Sequence, residues 1–219
     1  VSLKPINNGR LKTIAGNLKP FQAVTKHLDD EAILRAKYSK HQYQMETRTR
    51  NAAKALARLP EPGEVFTILM RGNFSGFDFV PAALKLASPA TITELVLATY
   101  GFSQRNAGQI IDLIDRGQVK KVWMICSTFT TAADSDIYEA FRKVLTERGS
   151  QIAPARNHAK LIGMKFDDGR HYVVDGSINM RSARMTEQAH VWADEDLYDM
   201  YANYIKGFHE RPEAKTETK

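Results

Sequence analysis

Cysteine is almost missing from this chain: Cys126 is the one thiol in 219 residues. An intramolecular disulfide is thereby excluded, as is a cysteine-built zinc cluster, and a reducing, cytoplasmic setting is the expectation. Long apolar runs are missing too. No stretch approaches the roughly 18 consecutive apolar residues of a membrane span, and residues 1–25 contain no hydrophobic segment of signal-peptide type, so membrane spanning and classical secretion are not expected. Neither a Walker A sequence nor a dinucleotide-binding glycine fingerprint occurs. Asp134 and Asp136 read as helix-capping residues rather than metal ligands, and Cys126, set in an apolar strand, reads as a buried hydrophobe.

What is present suits a globular protein of one domain, at most two: 43% apolar and 26% charged residues, with a formal charge of +6. That charge is unevenly placed. Residues 1–60 hold 12 Lys+Arg against 4 Asp+Glu, a net of +8, whereas residues 61–219 hold 19 against 21. A concentrated basic segment is an electrostatic footprint for polyanions, although a solvated helix face has the same composition.

Residues 1–28 show no sustained period and contain Gly9, Gly16, Pro5 and Pro20, so they read as an irregular arm. Asp29 and Asp30 are placed to cap a helix that reaches Leu59 before Pro60 and Pro62, with Leu34, Tyr38, Met45, Ala52, Leu56 and Leu59 on one stripe. Its other faces carry Arg35, Lys37, Lys40, Arg48, Arg50 and Lys54, which become candidate nucleic-acid contacts. Tyr38 and Tyr43 among them suit either packing or stacking on exposed bases.

From residue 64 strands and helices alternate. Strands are predicted over 65–70, 92–100, 119–127, 151–155, 158–166, 171–175 and 189–193, with a turn at Asp167-Asp168-Gly169. Helices are predicted over 106–116, ended by Gly117, over 137–148, ended by Gly149, and over 197–208, with Leu197, Met200, Tyr201 and Tyr204 as the last one's apolar stripe. The pattern implies an α/β domain with a mixed sheet flanked by helices. The expected organisation is an arm over 1–28, a basic helical extension over 29–60, an α/β domain over 61–208 and a polar tail over 209–219.

Asn157-His158-Ala159-Lys160 falls at the start of a predicted strand, where period-two alternation puts His158 and Lys160 on one face. A following strand runs into Gly176-Ser177-Ile178-Asn179. If the two pair as a hairpin, an imidazole, an ammonium, a hydroxyl and a carboxamide gather in one pocket, a set suited to gripping and attacking a phosphate. Arg181, Arg184 and Glu187 follow within ten residues and join the candidate contacts. His171 and His190 read as structural.

In these residues the chain resembles the phospholipase D superfamily, which is marked by H-x-K, then G-S-x-N and a downstream Glu. The resemblance covers roughly residues 64–208. It departs from the family pattern at Lys165, where an Asp is usual; Asp167 and Asp168 come just after. The resemblance implies a phosphodiesterase in which His158 is the nucleophile, forming a phosphohistidine, and a second histidine protonates the leaving oxygen. Family members with one motif form two-fold dimers that share the site, so a homodimer is implied. Lys160 and Asn179 would hold the phosphoryl oxygens, Ser177 would support the phosphate, and Glu187 would orient His158. No metal or other cofactor is implied. The basic N-terminal segment resembles the nuclease branch, so the expected substrate is DNA or RNA. A catalytically inactive nucleic-acid-binding module and a lipid phosphodiesterase are the alternatives.

Overall fold

Alternation within the strands divides the chain into three layers. Along β2 (Ile92–Thr99), Leu95 and Leu97 enter one apolar cluster while Val96 and Ala98 enter another, as period-two geometry requires of a strand covered on both faces. In the computed structural model, which describes residues 43–181 and 185–210, the two clusters lie on opposite sides of a seven-stranded sheet.

The described chain starts with helix α1 over residues 43–56, followed by β1 (Val65–Arg71), a 3-10 turn (Gly76–Asp78), α2 (Phe79–Ala87), β2 and α3 (Gln104–Asp115). Then come β3 (Val122–Ser127), the short α4 (Thr128–Ala133), α5 (Ser135–Thr146), β4 (Gln151–Ala155), β5 (Leu161–Phe166), β6 (His171–Gly176), β7 (Thr186–Trp192) and α6 (Glu195–Glu210). The strand order is β1-β7-β6-β5-β2-β3-β4. β2, β3 and β4 run parallel, and the remaining pairings are antiparallel. The sheet is mixed and flanked by helices, as the sequence predicts.

One cluster joins the sheet to α2, α3 and α5 through Phe79, Leu84, Ile110, Ile111, Phe141 and Leu145. Ala52 and Leu56 of α1 are buried in that same cluster, and Asn51 Nδ2 donates to the Asn73 carbonyl at 3.3 Å. The other cluster is covered by α6, whose buried residues are Tyr198, Ala202 and Ile205. Glu94 anchors that helix. Its carboxylate takes the Tyr198 hydroxyl at 2.7 Å, the Lys206 ammonium at 2.5 Å and the Trp123 indole N–H at 3.0 Å. Burial alone would push the Glu94 carboxyl up; these three donors hold it below its ordinary 4.5.

Both predicted stop glycines are left-handed, φ +69° at Gly117 and at Gly149. Other boundaries move. α1 ends at Leu56, not Leu59, where Ala57 takes φ 59°. The 106–116 helix begins two residues earlier, because Ser103 caps it in a reciprocal pair with Asn106. β3 starts at Val122, since Val119 makes only an isolated bridge to Ile92. On α6 the buried stripe is Tyr198, Ala202 and Ile205 at i, i+4, i+7, while Met200 and Tyr204 are exposed; the clasp on Glu94 sets that rotation. α2 and α4 are additional helices. α2 is apolar nearly all round, so no amphipathic period marks it, and its Pro81 sits in the tolerated first turn. Arg35, Lys37, Lys40, Leu34, Tyr38 and the capping Asp29 and Asp30 lie outside the described residues, as do the arm, Arg184 and residues 211–219.

Candidate active site

Several strand ends meet at one edge of the sheet. β5 starts at Leu161 opposite Ala98 near the end of β2, and opposite Asp175 near the end of β6; Gly176 lies beside Ala189 of β7. The segments around these ends carry His158, Lys160, Ser177, Asn179 and Glu187.

His158 and Lys160 are not on a strand. Residues 157–160 are irregular and β5 begins only at Leu161, so period-two alternation does not bring the pair together. A local turn does. Asn157 is buried, its Oδ1 accepts the Ala159 N–H at 2.9 Å, and its Nδ2 donates to the Thr99 carbonyl at 3.1 Å. This fold-back presents His158 to solvent and curls Lys160 over it, with Nζ 3.2 Å from His158 Nδ1 and 2.8 Å from the His158 carbonyl oxygen. Asn157 is thus a positioning residue to which the sequence reading assigns no role; its signal is an Asn two residues before the amide that its side chain accepts.

The environment of the pair is aromatic. Tyr100, the residue after β2, meets the His158 ring edge-on with centroids 5.1 Å apart and lies 6.0 Å from Lys160 Nζ. Partial burial pulls the Lys160 ammonium below its ordinary 10.5, and the Glu187 carboxylate nearby opposes that shift.

Gly176 has φ +140°, and a Cβ there would stand 2.2 Å from the Gln188 carbonyl oxygen, so only glycine lets β6 approach β7 at this point. The Ser177 N–H then donates to the Gln188 carbonyl at 3.0 Å, and Ser177 Oγ accepts the Gln188 N–H at 3.0 Å and donates to Glu187 Oε2. The Ser177 hydroxyl is therefore engaged within the protein. Among the described residues no hydrogen bond joins Glu187 to His158, which corrects the expected orienting contact. β6 lies between β7, which carries Glu187, and β5, which His158 precedes, and His158 Nδ1 faces Lys160 instead.

Asn179 is half-buried. Its carbonyl accepts the Gly76 N–H at 3.0 Å, and its side-chain Oδ1 is buried with no hydrogen-bond partner among the described residues. Arg181 donates to the Phe102 carbonyl at 3.0 Å and pairs with Asp134 at 2.7 Å. Asp134 stands at the N-cap position of α5, as expected, but its side chain makes no capping hydrogen bond and serves Arg181 instead. A cavity of about 360 Å³ opens here between Tyr100, Phe129, Asn179, Arg181 and Glu187. His158 and Lys160 do not line it, so the expected single pocket is a surface pair beside a separate cavity.

Of the basic contacts expected on α1, Arg50 and Lys54 are exposed, while Arg48 is largely covered, 4.0 Å from the fully buried Asp78. His171 is buried against Tyr198, and His190 sits between Thr67 and Gln188 on the sheet. Cys126 is fully buried, and burial pushes its thiol up to about 12. Among the described residues no group of three or more His, Cys, Asp or Glu is arranged to hold a metal ion, and no helix is long and apolar enough to cross a membrane.

No protein-family model matches the sequence, and a comparison with curated proteins finds no match. Solved structures do. Nuc from Salmonella typhimurium, described as a phospholipase D family member, aligns at 16% identity and a TM-score of 0.48, covering 67% of this chain and 93% of its own. NucT from Helicobacter pylori aligns at 17% and 0.41, covering 67% and 97%. Polyphosphate kinase from Porphyromonas gingivalis aligns at 15% and 0.49 over 74% of this chain, which spans 27% of that one. The chain is similar in structure to these proteins, one of them described as a member of the phospholipase D family.

Proposed function

We propose that this protein is a phosphodiesterase that cleaves DNA or RNA without a metal ion, with His158 as nucleophile in a site shared across a homodimer. The observation that carries the reading is the contact between Lys160 and the solvent-facing His158. A nucleophile and a fixed cation stand side by side at the surface, where a polymeric phosphodiester can reach both.

The contact also bears on the proton. An ammonium has only donors, so Nδ1 accepts and the ring hydrogen sits on Nε2. When a phosphate draws Lys160 onto its own oxygens, Nδ1 is released to carry the hydrogen and Nε2 is freed to attack. The second subunit's His158 serves as the acid and carries a proton on both ring nitrogens. Nε2 of one His158 bonds to phosphorus while the P–O bond breaks, and the departing oxygen takes a proton from the second subunit's imidazolium, leaving it a neutral imidazole. Water, giving a proton back to that imidazole, then cleaves the P–N bond. Lys160 and Asn179 hold the phosphoryl oxygens, and Ser177 with Glu187 keeps the β6–β7 end in place.

The test is incubation with plasmid, single-stranded DNA and RNA in EDTA, beside His158→Ala. Cleavage that survives the chelator and disappears in the variant is the expected result. Binding without cleavage would assign an inactive nucleic-acid-binding module, and turnover of phospholipid vesicles alone would assign a lipid phosphodiesterase.

A further inference from the structure

Phe129, on α4, is 60% exposed, a placement that leaves a large apolar ring in water. Its ring stacks on Tyr100, with centroids 5.7 Å apart and planes 18° from parallel. Tyr100 in turn touches the His158 imidazole. The rings border the 360 Å³ cavity, which also includes Met185, 73% exposed, and Arg181, whose guanidinium packs across Gly101; a Cβ on Gly101 would lie 3.3 Å from Arg181 Nε. The cavity is thus a flat aromatic wall with a polar rim, one side chain away from the His158–Lys160 pair.

Apart from Asn179, which faces the phosphate side, the rim offers little to an anion. Arg181 is already paired with Asp134, and Glu187 adds a second carboxylate, so among the described lining residues no cation is left unopposed. What the wall and rim do suit is an uncharged, planar heterocycle, apolar on its faces and polar at its edges. We propose that this cavity is a nucleobase subsite, in which a base of an unpaired strand stacks against Phe129 while the phosphate attached to its nucleoside reaches His158 and Lys160. This rests on the phosphodiesterase reading for the position of the phosphate. Bases within a duplex stack on one another and present no free face, so the subsite selects single strands, ends or flipped nucleotides. A lipid chain would instead meet Asp134 and Glu187 along an apolar tail.

The test uses binding, in a His158→Ala background that does not turn over, so that it reads the subsite even if no cleavage is found in the parent. A single-stranded oligonucleotide carrying 2-aminopurine and an abasic strand of the same length are titrated against Phe129, Phe129→Ala, Phe129→Leu and Phe129→Trp proteins. Phe129→Ala should weaken the normal strand about 5- to 150-fold and remove the 2-aminopurine quenching. Phe129→Trp should retain both, and Phe129→Leu should not. The abasic strand should bind all four alike, and thermal unfolding should be unchanged because the ring is exposed. If Phe129→Ala keeps the parent's preference for normal over abasic strand, or Phe129→Leu matches the parent, the subsite is overturned. Vesicle binding that Phe129→Ala abolishes, with strand binding untouched, overturns it in favour of a lipid contact.

Discussion

Lys160 Nζ lies 3.2 Å from His158 Nδ1 and 2.8 Å from the carbonyl oxygen of the same residue. The ammonium is folded back on its own chain and keeps its remaining donor capacity for an incoming anion. The histidine and its nearest cation therefore act as one unit, and substrate must reach both.

His158→Ala is expected to abolish cleavage while leaving the unfolding midpoint unchanged, because the side chain is exposed. The shared site gives a sharper outcome. Mixed dimers with one wild-type and one His158→Ala subunit, isolated by differential tags, should fall far below half the wild-type rate, since one histidine cannot be both nucleophile and acid. A mixed dimer at half activity would mean that each chain holds a complete site.

Lys160 supplies an alkaline limb to the rate. Its ammonium is charged at low pH and is lost as pH rises through a value that burial holds below 10.5, so kcat/KM should decline before that pH. In Lys160→Ala this limb should vanish and the rate drop on the order of 10² to 10³. An unchanged limb would assign the titration to another group.

Gly176→Ala tests the geometry of the G-S-x-N end. The added methyl would stand 2.2 Å from the Gln188 carbonyl oxygen at a φ of +140°, so β7 must move and carry Glu187 with it. Urea unfolding should show a loss of about 1–3 kcal/mol from the overlap, with a further loss from the backbone strain. Activity should fall with it. Gly117→Ala, equally left-handed but with open space around its Cβ, should cost stability and spare the rate.

Removing residues 1–42, which hold 8 Lys+Arg against 3 Asp+Glu, should weaken nucleic-acid binding and flatten its salt dependence, each lost phosphate contact reducing the log–log slope by about 0.7–0.9. Removal through residue 59 is different, because it strips Ala52 and Leu56 from the core. Leu56→Ala alone should cost about 2–5 kcal/mol in chemical unfolding. A retained salt slope after the shorter deletion would place the phosphate contacts elsewhere.

Local chemistry made much of the fold legible in the chain. Ile110, Ile111 and Leu113 at helical spacing before Gly117, and Phe141 and Leu145 before Gly149, mark α3 and α5 because amphipathic period and left-handed stop are written in consecutive residues. The Asp167–Gly169 turn likewise announces the β5–β6 hairpin, with Gly169 at φ +89°. α2 escaped because a helix apolar nearly all round carries no period, and α4 because a helix of six residues is too short to show one.

At the site, H-x-K and G-S-x-N name residues but not their partners. Lys160 meets His158 because Asn157 reaches Thr99, 58 positions away, and Glu187 takes Ser177 rather than His158 because β6 lies between β7 and β5. Tyr100 and Phe129 stack because they follow the ends of β2 and β3, which run parallel side by side. Residue types and local periods were settled by short-range sterics and burial, which the amino-acid order carries by itself. Which side chains touch was decided by strand order and register, since those contacts depend on pairings between segments tens of residues apart that no local pattern encodes.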